Sequence, residues 1–240
     1  MKSIPLALVT FALSFVGLNS TAHAQTESDA KLVKIVMETS KGTIELELDA
    51  AKAPITVANF VGYVKKGHYD GLIFHRVIRD FMIQGGGFTP DIQEKEAGPT
   101  IENEAKNGLK NVRGAIAMAR RGDPHSASSQ FFLVHQDSSF LDYPGRDGWG
   151  YCVFGKVTKG LDIVDTIAAA SVTVYRSVGG TWRPLNPDEM KSFAAFDDAR
   201  KNRGPISPDV LKEVEQWQQQ GLLENVPVEP ILIKSAKVAE

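Results

Sequence analysis

One cysteine, Cys152, is all that 240 residues contain, so no disulfide can form within the chain in any compartment. A lone cysteine can be a nucleophile, but Cys152 sits in the apolar run Tyr151-Cys152-Val153-Phe154, the setting of an inert, buried thiol. Histidines are few as well. His68, His75, His125 and His135 form no i,i+4 pair and have no cysteine beside them, so no structural metal is expected. Excess charge of one sign is missing too: the formal charge is −2, which gives no reason to expect nucleic acid or an anionic membrane as partner. Past the amino-terminal segment there is no long apolar run and no Asn-x-Ser/Thr acceptor. Gly85-Gly86-Gly87 lacks the GxGxxG spacing of a dinucleotide loop, and Ser128-Ser129 lacks the GxSxG elbow of a hydrolase. Close backbone packing is the simpler use for the three glycines. No cofactor is expected.

The first residues have a different character. Lys2 precedes an apolar run from Ile4 to Leu18, and Ala22-His23-Ala24 follows. That is a basic start, a hydrophobic region and a small-x-small cleavage site, so residues 1–24 are expected to be a signal peptide. The run is too short for a comfortable membrane span. Its removal takes away Lys2 and no acid, which shifts the charge by one, to −3. Residues 25–240 are then expected to form one exported domain, in the periplasm or, alternatively, secreted.

Along that domain, residues 32–39 and 43–48 alternate in polarity around Ser40-Lys41-Gly42 and predict a β-hairpin. Pro54 opens a helical stretch to Lys66, with Val57, Phe60, Val61 and Val64 at helical spacing and Gly67 as its stop. Short strands are predicted at residues 73–77, 81–84, 115–119, 131–134, 153–157 and 231–238, with a second helix over 161–169. Many short strands with two helices suggest a closed barrel, which leaves no exposed edge. Between them, Asn186-Pro187-Asp188-Glu189 is a helix start, and Ser207-Pro208-Asp209 is another. Residues 171–229 are therefore expected to be a helical insertion, with Val210, Val214 and Trp217 on the side that meets the barrel.

The run Phe74–Phe88, FHRVIRDFMIQGGGF, places Arg76 on a short strand beside Phe81, Met82 and Gln84. Taken alone, Arg76 would be a surface arginine on an edge strand. Farther on, Ser129–Phe132 reads SQFF and Val153–Val157 reads VFGKV. These three segments, in this order, resemble the cyclophilin family of peptidyl-prolyl cis-trans isomerases, and bacterial exported members above all. The resemblance runs from about Val33 to Thr166 and resumes near Pro230. It implies a mainly β fold: an eight-stranded antiparallel closed barrel capped by two helices. It implies isomerisation of X–Pro bonds, with Arg76 as the catalytic donor. It further implies a substrate pocket of Phe81, Met82, Gln84, Ala119, Arg120, Gln130, Phe132, Phe140, Leu141 and Tyr151. Phe131 is kept for the core, because strand alternation sends it opposite to Phe132.

Three positions depart from the eukaryotic pattern of that family. Phe140 stands in place of tryptophan, Arg120 of asparagine and Tyr151 of histidine. Without an indole N–H at position 140, cyclosporin-like macrocycles are expected to bind poorly. Arg120 is expected to add positive charge to the groove. The expected partners are proline-containing polypeptides, with a monomeric chain, no nucleic acid and no stable membrane insertion. A rival of another class is a non-catalytic chaperone or scaffold that only binds proline-containing segments. An intact Arg76 and Gln84 favour the enzyme.

Overall fold

The computed structural model describes residues 32–239, so the expected signal peptide at residues 1–24 lies outside the described residues. The chain opens with β1 (Leu32–Thr39) and β2 (Gly42–Asp49), paired in continuous register around Ser40-Lys41. Ile44, Leu46 and Leu48 are buried on one face of β2. On the other, Glu45 and Glu47 pair with Lys159 and Lys156 at 3.1 and 3.3 Å. The period-two pattern thus decides which face goes inward. Helix α1 (Pro54–Lys65) carries proline in its first turn and buries Thr56, Val57, Phe60 and Val64. Ala53 at its N-cap offers no side-chain oxygen. Glu104 supplies it from far along the chain, accepting from the backbone N–H of Ile55 and Thr56 at 3.1 and 2.8 Å. A carboxylate there also meets the positive end of the helix dipole.

The remaining strands of the main sheet are β3 (Ile73–Ile78), β4 (Met82–Phe88), β5 (Ala115–Met118), β6 (Phe131–Val134), β7 (Val153–Lys159) and, at the end, β11 (Ile233–Val238). A second helix, α2 (Leu161–Ala168), follows β7. The eight strands form one antiparallel sheet in the order β11-β1-β2-β7-β5-β6-β4-β3. Its concave side holds the aromatic core. Phe60 meets Phe131 edge-on at 5.4 Å and Phe154 at 5.3 Å, and Tyr69 meets Phe131 edge-on at 5.5 Å.

The expectation of a closed barrel needs correcting. The sheet curls until its outer strands approach, but β3 and β11 form no ladder, and the barrel stays open there. Three backbone bonds bridge the gap: Gly71 to Ile233, Phe74 to Ile231 and Ile233 to Leu72, at 2.9, 3.0 and 2.7 Å. Pro230 leads the chain into this seam without an N–H to give, so pairing cannot extend backward along it. The strand expected at 81–84 runs instead from Met82 to Phe88, with Gly85 opposite Phe131 on β6 and Phe88 opposite Ile73 on β3.

The insertion is only partly helical, which corrects a second expectation. Helices α3 (Pro187–Asn202) and α4 (Pro208–Gln220) stand where the start signals put them. They pack on a second antiparallel sheet, unforeseen, of β8 (Val172–Val178), β9 (Thr181–Pro184) and β10 (Leu222–Pro227) in the order β10-β8-β9. Val214 and Trp217 do not face the barrel. They join Val174, Leu185 and Phe193 in a core of the insertion's own, with Val210 at its margin. What meets the main sheet is β10: Val226 packs with Ile73 and Ile92, and Leu223 and Tyr175 flank them. Among the described residues, no helix is long and apolar enough to cross a membrane.

Candidate active site

Strand register assembles the site. Arg76 on β3 lies opposite Gln84 on β4, Gln84 lies opposite Phe132 on β6, and Phe132 lies opposite Ala117 on β5. Partners in register project to the same face, so Arg76, Gln84 and Phe132 stand in one row. Phe131, one residue away, turns into the aromatic core, while Phe132 joins Met82, Leu141 and Val153 in a cluster on the opposite face.

That face bears a cavity of about 110 Å³ lined by Arg76, Phe81, Met82, Gln84, Ala119, Arg120, Phe132, Leu141 and Tyr151. All of these are residues that the family resemblance implied. Two others stand beside it. Gln130 accepts a 2.9 Å hydrogen bond from Gln84 Nε2 and so anchors the row from behind. Phe140 is half exposed and stacks on Phe81, with ring centroids 5.5 Å apart. Phe132 and Tyr151 meet edge-on at 5.7 Å. The cavity is thus lined by aromatic and aliphatic side chains together with Gln84 and two guanidiniums, those of Arg76 and Arg120. Gln84 also borders a larger cavity of about 600 Å³, on the side of Ala119 and Arg120.

Arg76 is half-buried and, among the described residues, its guanidinium makes neither an ion pair nor a hydrogen bond. Burial lowers its pKa, with Glu224 and Tyr151 acting the other way, yet an arginine remains charged under any ordinary condition. Its neighbour His75 packs on Phe88 with ring centroids 4.6 Å apart. Burial first, and then the charge of Arg76, push the His75 pKa down to about 4. The imidazole is therefore uncharged at pH 7 and is not available there as an imidazolium acid.

Arg120 differs from expectation. Its side chain does not hold a free charge over the groove. Its Cζ lies over the Tyr151 ring, 4.6 Å from the centroid, while Nε donates to the Gly150 carbonyl at 3.1 Å and the guanidinium pairs with Asp147. The guanidinium is neutralised and acts as a clamp that holds Tyr151 as a wall. Asp147, in turn, has its pKa lowered chiefly by the hydrogen bond from Arg120. The main chain of Arg120 forms no backbone hydrogen bond among the described residues, while the Ala119 N–H goes to the Gln130 carbonyl at 3.0 Å.

Cys152 lies under the site rather than in it. It is buried against the Thr56 hydroxyl at 3.5 Å, and burial raises its thiol pKa to about 11, so it is not a thiolate at neutral pH. Among the described residues, no group of three His, Cys, Asp or Glu is placed to hold a metal ion.

Some residues of the site were not legible in the sequence. Asp147 lies in a glycine-rich loop that signals only a turn. Arg200 and Glu224, from the insertion, border a cavity of about 440 Å³ that shares Arg76 and Gln84 with the smaller one. Nothing in the local sequence connects them with a strand more than a hundred residues earlier.

Comparison with known proteins adds the following. Residues 34–194 match the family described as cyclophilin type peptidyl-prolyl cis-trans isomerase/CLD. The chain is 58% identical over 160 residues to peptidyl-prolyl cis-trans isomerase cyp18 of Streptomyces antibioticus, a span that covers 66% of this chain and 95% of the relative. It is 50% identical over 163 residues to peptidyl-prolyl cis-trans isomerase A of Dickeya dadantii, covering 68% and 83%. A crystal structure of a cyclophilin type isomerase of Cryptosporidium parvum superposes with a TM-score of 0.58 at 22% identity, over 87% of this chain and 98% of that one.

Proposed function

Because the chain belongs to the cyclophilin-type peptidyl-prolyl cis-trans isomerases, we propose that it accelerates X–Pro isomerisation by an arginine-assisted twisted-amide transition state. Amide resonance sets the barrier, near ~18–20 kcal/mol. Twisting the bond removes that resonance and leaves a lone pair on the proline nitrogen. A fixed donor aimed at this nitrogen binds the twisted state more strongly than either planar state, and only such differential binding speeds the step. No proton is transferred.

One observation carries the assignment of Arg76: of the two guanidiniums that line the small cavity, Arg120 is paired with Asp147, and Arg76 makes no ion pair among the described residues. A charge-assisted hydrogen bond of ~1.5–3 kcal/mol corresponds to roughly ten- to 150-fold in rate, at ~1.4 kcal/mol per factor of ten. Any acceleration beyond that comes from the aromatic walls, which hold the ring and exclude water. The substrate is a proline-containing polypeptide. Support for export comes from the character of residues 1–24, and the clients would then be proteins folding in the periplasm.

The test is the rate of cis–trans exchange in a small X–Pro peptide. Arg76→Ala should lower kcat/KM at least about tenfold with the fold intact, and Arg76→Lys should also be impaired, since a point charge does not reproduce the planar fork. Near-wild-type kinetics in a folded Arg76→Ala would remove Arg76 from the mechanism. A wild-type chain that binds the peptide without accelerating it would instead favour a non-catalytic chaperone.

A further inference from the structure

Arg76 borders two cavities, and the smaller has no lining residue from the insertion. The other, of about 440 Å³, has Arg76 and Phe88 on the sheet side and Arg200, Leu222, Leu223 and Glu224 on the insertion side. The insertion reaches this position because β10 packs beside β3 through Val226, Ile73 and Ile92. Arg200 and Glu224 lie beyond residue 194, where the family match ends.

The charges of the wall are already spent on one another. Arg200 donates to both carboxylate oxygens of Glu224, at 3.3 and 3.2 Å, and to Asp197 at 2.5 Å. Lys201 takes the second oxygen of Asp197 at 2.6 Å. Two acids and two bases thus largely compensate one another. Arg76 makes no ion pair or hydrogen bond among the described residues, although Glu224 acts on its charge. A cationic side chain entering the cavity would be repelled by Arg76. An acidic one would take the donors that the proline nitrogen needs. Phe88, Leu222 and Leu223 offer surface to a group that does neither.

Resting on the isomerase reading above, we propose that this cavity is a specificity subsite. It accepts a bulky, uncharged side chain from a residue flanking the substrate proline, and the insertion is its outer wall.

The experiment measures cis–trans exchange by NMR in peptides blocked at both ends. Each carries one proline, with Ala, Leu, Phe, Lys or Glu placed in turn at the two positions on either side. The proteins are wild type, Arg200→Gln, Glu224→Gln and the double variant. At one flanking position, wild type should turn over the Leu or Phe peptide at least about fivefold better than the Lys peptide. Arg200→Gln leaves the Glu224 charge uncompensated in the cavity, so the Lys peptide should gain about fivefold. Because Glu224 also acts on the charge of Arg76, the all-Ala peptide sets the baseline of each protein, and the gain is read as the ratio of Lys-peptide to all-Ala turnover. Adding Glu224→Gln should abolish the gain. The proposal is overturned if no position discriminates in wild type, a result that depends on no variant. It is equally overturned if the Lys gain is absent in a folded Arg200→Gln, or persists in the double variant. The all-Ala peptide separates the two levels. Absence of its turnover in wild type sinks the isomerase reading and the subsite together. Normal turnover without any effect of the flanking residue sinks the subsite alone.

Discussion

Gly87 is the most economical place to perturb the site without entering it. A methyl group built on its α-carbon would lie 2.5, 2.6 and 2.7 Å from the Nε2, Cδ and Cγ atoms of Gln130. Its backbone has no positive φ, so alanine is conformationally acceptable there. Gln130 is a flexible side chain and can swing aside, but doing so breaks its 2.9 Å bond with Gln84, the neighbour of Arg76 in the sheet register. A neutral hydrogen bond contributes about 0.5–1.5 kcal/mol net. If that amount holds the transition-state arrangement, Gly87→Ala should lower kcat/KM by ~2- to 13-fold. Stability should stay within ~1 kcal/mol, since the lower entropy of the unfolded alanine chain partly offsets local strain. The assay is peptide exchange by NMR beside calorimetric unfolding. Gly86→Ala is the contrast. Gly86 has φ 86°, and a methyl there meets Tyr69, the Ser129 carbonyl and Phe131 at 2.9–3.1 Å. None of these can retreat, so the fold itself should lose ~2–5 kcal/mol. Unchanged turnover in Gly87→Ala would show that the Gln84–Gln130 bond does not serve catalysis. A collapse of stability in Gly87→Ala would show that the glycine is there for packing alone.

His75 predicts an acid-labile fold. Its folded pKa of about 4 lies below the ordinary 6.5, so above pH 6.5 it adds no pH dependence. Between pH 6.5 and 4 only the unfolded state takes up the proton, and stability falls with pH by about 3 kcal/mol in all; urea unfolding of His75→Leu should lack that slope, and equal slopes would refute the cause. Turnover should stay nearly flat between about pH 6 and 8, because no group is assigned to proton transfer; a bell-shaped profile there would count against the mechanism. Trp217→Ala should cost ~3–5 kcal/mol and melt the insertion first, as Trp217 belongs to the insertion's own core; hydrogen exchange protection confined to the main sheet would be the signature, and a single global loss would contradict it. Phe140→Trp should tighten binding of a cyclosporin-type macrocycle by adding an indole donor beside Phe81; equal inhibition constants would exclude that explanation.

What the sequence determined by itself is whatever its local chemistry decides. The β1–β2 hairpin follows from alternation, and α1 from Pro54 and its apolar spacing. The capping box of α3 is present as written: Asn186 Oδ1 accepts from Asp188 and Glu189 at 3.0 and 2.9 Å, and Glu189 returns a bond to the Asn186 N–H at 2.9 Å. Most of the pocket was legible only through the family resemblance, since its short runs taken alone would be read as core. One further signal is legible. Val172–Val178 alternates and ends at Gly179-Gly180, the mark of a two-residue hairpin, and β8 and β9 pair around those two glycines. Other features belong to the tertiary structure alone. Glu104 caps a helix that begins 50 residues earlier, Arg120 spends its charge on Asp147 and Tyr151, and Glu224 comes to stand beside Arg76. The open seam of the barrel belongs with them. Each depends on a partner brought near by the packing of whole elements, and electrostatic and hydrogen-bond energies act over a few ångströms of space, whatever the separation along the chain.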